Sequence, residues 1–127
     1  MRPSSFTILF ADDEPAIIRL YKDAFTKEGY KVLTCSNASG AMAELQDEKV
    51  DLLVTDLVMP DANTFDLFDF LKEKFPALPV IVASGKFKDH PEDFRYKVSA
   101  YLPKPVELSV LKAKVAEVLG IEKDLAK

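Results

Sequence analysis

The chain has 127 residues, is 48% apolar and 30% charged, and carries a net charge of -4 at neutral pH. That length suits one domain, residues 1–127, with a real core, and the negative balance argues against nonspecific nucleic-acid binding. One cysteine, Cys35, and one histidine, His90, exclude an internal disulfide and a zinc site of ordinary composition.

No apolar run is long enough to span a bilayer. The opening "MRPSSFTILFADDE" is basic, then briefly apolar, then acidic, with no cleavage-like site, so no signal peptide is read and the cytoplasm is the expected compartment.

Strand and helix patterns alternate. "FTILFA" (Phe6 to Ala11) has the short apolar run of a buried parallel strand. The next segment has helical spacing, with Pro15 in a first turn, Ile17, Leu20 and Ala24 on one face, and Gly29 at the end. "YKVLTC" is a second strand, and "ASGAMAELQDEK" a small-residue helix with Ala38, Ala41, Met42 and Leu45 inward. Val50 to Asp56 is a third strand. After "LVMPDAN", Thr64 to Phe75 is helical, with Leu67, Phe68, Leu71 and Phe75 in register. "LPVIVAS" is a fourth strand, "GKFKDHPEDFRYKV" a polar stretch holding at best a short fourth helix, and "SAYLP" a fifth strand. Val106 to Leu119 forms the fifth helix through Leu108, Leu111, Val115 and Val118, and Gly120 closes it.

A (βα) unit repeated five times implies an α/β fold, a parallel sheet with helices on both faces. Pro103 belongs at a sheet edge, which puts the fifth strand outermost, as in the flavodoxin-like order 2-1-3-4-5. Ligands of such sheets bind at the carboxyl ends of the strands. There the sequence sets Asp12 and Asp13 after the first strand, Asp56 after the third, Ser84 after the fourth and Lys104 after the fifth.

Three gathered carboxylates repel one another, and a hard cation removes the repulsion. Oxygen ligands with room for water suit Mg²⁺, or Mn²⁺ in its place. Lys104 is a point cation suited to phosphate, and Ser84 can donate a hydrogen bond to it. A carboxylate beside such an anion site can act as a nucleophile and form an acyl phosphate. Phosphoryl transfer asks for positioning and charge neutralisation more than acid–base chemistry, so the lack of a placed histidine is no objection. His90 and Cys35 are read as a polar loop residue and a small buried side chain.

At this point "ILFADDE", "DLLVTDLVMP", "PVIVAS" and "YLPKP" together resemble the receiver domain of two-component response regulators, in the family's order and over essentially the whole chain. Each piece alone is weak; the set is specific. The resemblance implies that Asp56 accepts a phosphoryl group from the phosphohistidine of a histidine kinase or phosphotransfer protein. It implies Mg²⁺ held by Asp12, Asp13, Asp56 and the backbone carbonyl of Val58, with Ser84 and Lys104 on the phosphoryl oxygens. Ser84 and Tyr101 are the implied switch, Lys104–Pro105 an implied cis turn, and the fourth helix, fifth strand and fifth helix the implied signalling face.

The sequence departs from the family at Thr64, where glycine is usual, at Ser84–Gly85, at the tuning positions Val58 and Lys86, and in the segment before Tyr101, which lacks the usual Gly-Ala. On this reading the chain is a signalling module that assists its own phosphorylation and dephosphorylation rather than an enzyme. It binds no nucleic acid or membrane itself, and its downstream partner and any dimerisation are open. Two alternatives stand beside it. One is a phosphorylation-independent interaction module on the same fold. The other is an aspartyl-nucleophile phosphatase, which Val58 disfavours by occupying the neighbourhood of the second acid–base aspartate.

Overall fold

A computed structural model describes residues 3–56, 64–84 and 98–121. A short 3₁₀ turn, Pro3–Ser5, leads into β1 (Thr7–Ala11), α1 (Pro15–Glu28), β2 (Lys31–Cys35), α2 (Ala38–Asp47) and β3 (Leu52–Thr55). Then follow α3 (Thr64–Lys74), β4 (Val80–Ser84), β5 (Ala100–Pro103) and α4 (Leu108–Leu119), the last being the fifth helix of the sequence reading. The strands pair parallel in the order β2-β1-β3-β4-β5. The sheet order therefore reverses direction at β1, between β1 and β3, and Pro103 lies on an edge strand as its missing N–H requires.

Strand side chains alternate between faces, and here the alternation divides the core. Leu9, Ala11, Leu53, Val80 and Val82 pack with Ala38, Ala41 and Leu45 of α2 and with Leu67, Phe68 and Leu71 of α3. Ile8, Phe10, Leu52, Val54, Ile81 and Leu102 pack on the other face with Tyr21, Ala24 and Phe25 of α1 and with Leu111 and Val115 of α4. Met42, Phe75, Leu108 and Val118 are partly buried against the same two layers.

Local signals set the ends of the elements. Pro15 opens α1, and Gly29 closes it in the left-handed conformation, φ 105°, which L side chains rarely adopt. Asn37 caps α2 by accepting the Gly40 N–H at 2.7 Å. Asp51 belongs to the turn before β3, where its Oδ2 accepts the Thr7 N–H at 2.8 Å, so the strand starts at Leu52 rather than Val50.

The expected inward face of α1 needs correction. Leu20 is 48% exposed, while Tyr21 and Phe25 are buried. The helix turns about 100° per residue, and the aromatic pair centres the buried stripe on Tyr21, which carries Leu20 out of it. The rings explain the choice: Phe10 lies 5.1 Å, centroid to centroid, from both Tyr21 and Phe25. Cys35 is also less enclosed than expected, being half-buried.

Candidate functional site

The same alternation aims the site. Asp12 continues the parity of Ile8 and Phe10, Asp56 that of Leu52 and Val54, and Lys104 that of Ala100 and Leu102. Ala11 pairs with Thr55 in the β1–β3 register, so Asp12 and Asp56 leave neighbouring strands at one level. Backbone bonds hold both: the Asp12 N–H donates to the Cys35 carbonyl at 3.1 Å, and the Asp56 N–H to the Ala11 carbonyl at 3.0 Å.

Asp12 uses both carboxylate oxygens. Oδ1 accepts the Glu14 N–H at 3.0 Å, an Asx-type turn into α1. Oδ2 accepts from Lys104 Nζ at 2.6 Å. The same ammonium donates to Asp56 Oδ2 at 3.0 Å and lies 3.6 Å from Glu14 Oε1. Asp12, Asp13 and Asp56 can each offer a carboxylate oxygen such that all three atoms lie within 4.8 Å of one another. Asp12 and Asp56 are 3% and 8% exposed, whereas Asp13 faces solvent. A groove of about 460 Å³, lined by Asp12, Asp13, Arg19, Lys22, Thr34 and Cys35 among others, opens that side of the cluster.

The electrostatics follow from burial and pairing. Burial pushes the Asp12 carboxyl above its ordinary value, against the lowering pull of Lys104 and the Glu14 amide. Burial alone would lower the Lys104 ammonium, but its hydrogen bonds to Asp12 and Asp56 outweigh it and hold the group above the ordinary lysine value. The Tyr21 phenol is raised first by burial and then by the Asp12 charge. One lysine cannot neutralise three carboxylates, and the donors are all hard oxygens, so the cluster fits a small divalent cation such as Mg²⁺.

The structure thus gathers Asp12, Asp13, Asp56 and Lys104. The backbone of Ser84 ends β4, and Pro105 follows Lys104 through a cis peptide bond. Tyr101 sits on β5 half-buried against the layer that holds α2 and α3. Val58, Lys86, His90, the side chain of Ser84 and the fourth-helix segment lie outside the described residues. Sequence reasoning does not single out Glu14 or Thr55. Glu14 joins the ion cluster, with only its place beside Asp12–Asp13 as a signal. Thr55 Oγ1 donates to the Asp56 carbonyl at 2.9 Å, and a strand threonine carries no signal of that kind.

Comparison with known proteins agrees with this geometry. The family model "Response regulator receiver domain" matches residues 8–116. The chain is 37% identical over 120 residues to the DNA-binding transcriptional regulator NtrC of Bradyrhizobium sp. (strain RP501 Parasponia), covering 93% of this chain and 25% of that protein. It is 33% identical over 106 residues to the transcriptional regulatory protein GlrR of Escherichia coli (strain K12), covering 82% and 24%. The chain therefore spans about a quarter of the length of these relatives.

Among solved structures, it resembles the CheY-like receiver domain protein of Methanospirillum hungatei JF-1, with 28% identity, a TM-score of 0.81, and 91% and 94% of the two chains covered. It also resembles the response regulator TrrA of Thermotoga maritima, a structure with Mg²⁺ and BeF, with 25% identity, a TM-score of 0.78, and 89% and 98% covered. The fold is accordingly the CheY-like form of the flavodoxin architecture. With its acidic pocket of Asp12, Asp13 and Asp56 beside Lys104, typical of a phosphoacceptor site, the chain belongs to the response regulator receiver family of two-component signalling, which is not an enzyme family.

Proposed function

We propose that Asp56 is the phosphoacceptor, taking a phosphoryl group from the phosphohistidine of a histidine kinase or phosphotransfer protein. The observation that carries this reading is the convergence on Asp56: a buried carboxylate with Lys104 Nζ at 3.0 Å, in a cluster of three carboxylates. Attack by an Asp56 oxygen forms the new P–O bond as the P–N bond breaks, and the bonding pair leaves with the imidazole. Such a transfer depends mainly on positioning and charge stabilisation. Lys104, held protonated by its carboxylate partners, is at hand for the phosphoryl oxygens, and Ser84 is the second group assigned to them.

Asp12, Asp13, Asp56 and the Val58 carbonyl are the groups that would hold Mg²⁺, with Mn²⁺ able to replace it. The ion supplies charge neutralisation between the carboxylates and the incoming phosphate. The relative TrrA, solved with Mg²⁺ and BeF, supports this assignment by similarity. Ser84 and Tyr101 relay the modified state to the face that includes β5 and α4, and the domain assists its own phosphorylation and dephosphorylation. The family supports the cytoplasm as the compartment. A downstream output protein or domain completes the reading, and the NtrC-like relatives make transcriptional regulators one class that such a domain serves.

The test is intact mass after incubation with acetyl phosphate and Mg²⁺. Wild type gains a phosphoryl adduct and Asp56→Ala does not. An adduct of equal yield in the variant assigns the acceptor elsewhere. Turnover of many phosphoesters without an adduct indicates a hydrolase.

A further inference from the structure

Thr55 is fully buried at the end of β3. Its register partners are Ala11 on β1 and Val82 on β4, whose side chains can neither donate nor accept. A hydroxyl in such a place is costly unless it is bonded. Its bond goes not to a neighbouring strand but to the next residue: Oγ1 donates to the Asp56 carbonyl at 2.9 Å. That carbonyl belongs to the first residue beyond β3. On the other side of the same Cα, the Asp56 N–H donates to Ala11 at 3.0 Å. Both peptide planes flanking Asp56 are thereby held, one by β1 and one by Thr55. With both planes fixed, the direction of the Asp56 Cα–Cβ bond is fixed, and from there the side chain carries Oδ2 to 3.0 Å from Lys104 Nζ.

We propose that Thr55 is a positioning residue for Asp56, its hydroxyl holding the peptide that follows Asp56 so that the carboxylate stays in line for phosphoryl transfer. The proposal rests on the reading of Asp56 as phosphoacceptor. It adds a residue that touches neither metal nor phosphate and acts only through the main chain. Valine at this site keeps the shape and removes the bond, whereas serine keeps the bond and removes a methyl group. A purely structural threonine predicts the opposite ranking, with valine the better substitute in a buried strand.

The experiment compares wild type with Thr55→Val, Thr55→Ser and, should the valine variant fail to fold, Thr55→Ala. The rate of acyl-phosphate formation from acetyl phosphate is followed by intact mass at saturating Mg²⁺, and the ¹³C resonances of the Asp56 backbone carbonyl and carboxylate are recorded without metal. Loss of one orienting hydrogen bond is expected to slow phosphorylation about tenfold in Thr55→Val. The Asp56 resonances should move in that variant, while Thr55→Ser keeps both rate and resonances close to wild type. Wild-type rate in Thr55→Val, or equal slowing in the valine and serine variants, overturns the proposal. If wild type itself forms no adduct, the phosphoacceptor reading fails. The positioning claim is then decided by the resonances, and unchanged Asp56 signals in the valine variant refute it.

Discussion

Lys104 and Asp12 stand 92 residues apart in the chain and meet at 2.6 Å, Nζ to Oδ2. The ammonium is therefore already engaged by the carboxylates that are assigned to a metal, Asp12 and Asp56 alike. It behaves as a resident counter-ion, and any divalent cation entering the cluster competes with it.

That competition sets the first prediction. Lys104→Met removes the internal cation, and Mg²⁺ affinity rises, on the order of tenfold for one competing charge-assisted contact. Phosphorylation of the same variant falls. Isothermal titration calorimetry with Mg²⁺ and the acetyl phosphate assay check the two halves, and a weaker Mg²⁺ affinity in the variant contradicts the competition.

The metal-free stability of this variant is the second. Asp12 and Asp56 lose their shared partner while staying buried, at a cost of about 3 kcal/mol. Saturating Mg²⁺ returns most of that loss, because a ligand that binds only the folded state stabilises it by mass action. Urea denaturation with and without Mg²⁺ measures both, and an unchanged midpoint in the metal-free variant refutes the coupling.

Alkaline pH gives the third. A lysine whose pKa is raised in the folded state binds its proton more tightly there than in the unfolded chain. Its contribution is complete below the ordinary value of 10.5 and is lost as pH climbs through the higher folded value. The Tyr21 and Tyr30 phenols are also raised, chiefly by burial, and act in the same direction above 10.0. Wild type therefore loses stability above about pH 10. The part that Lys104→Met no longer shows belongs to Lys104, and parallel pH profiles for the two proteins would exclude it.

The outward turn of Leu20 gives the fourth. Leu20→Gln, at an exposed position, leaves stability within about 0.5 kcal/mol. Phe25→Ala, four residues after the buried Tyr21 on the same stripe, costs about 3–5 kcal/mol. Thermal or urea unfolding distinguishes them, and a large loss in Leu20→Gln would restore Leu20 to the core.

Much of this was legible in the sequence because strand parity is arithmetic. Once the strand ends are found, alternation alone brings Asp12, Asp56 and Lys104 to one side of the sheet. The pairing within the set was less accessible. A lysine beside a suspected phosphate site reads as a phosphate ligand, whereas the folded chain gives it the nearest negative charges available, Asp12 and Asp56. Leu20 misled because Ile17, Leu20 and Ala24 satisfy helical spacing as well as Ile17, Tyr21 and Phe25 do. Only the tilted packing of Phe10 against the two aromatic residues decides between the stripes. Thr55 gave no warning at all, since a threonine in a strand is ordinary.

Beyond the packing of Leu102 and Tyr101, the edge strand has two polar attachments of different kinds. Its ladder ties β5 to β4 alone. Lys104, one residue past its end, reaches over β4 to moor it to Asp56 beyond β3 and to Asp12 beyond β1. Whatever draws those carboxylates to another cation loosens this tie, and the margin of the sheet is then held by its β4 ladder and by the packing of Tyr101 and Leu102. An event at the centre of the molecule is thereby felt at its rim without passing through the intervening strand.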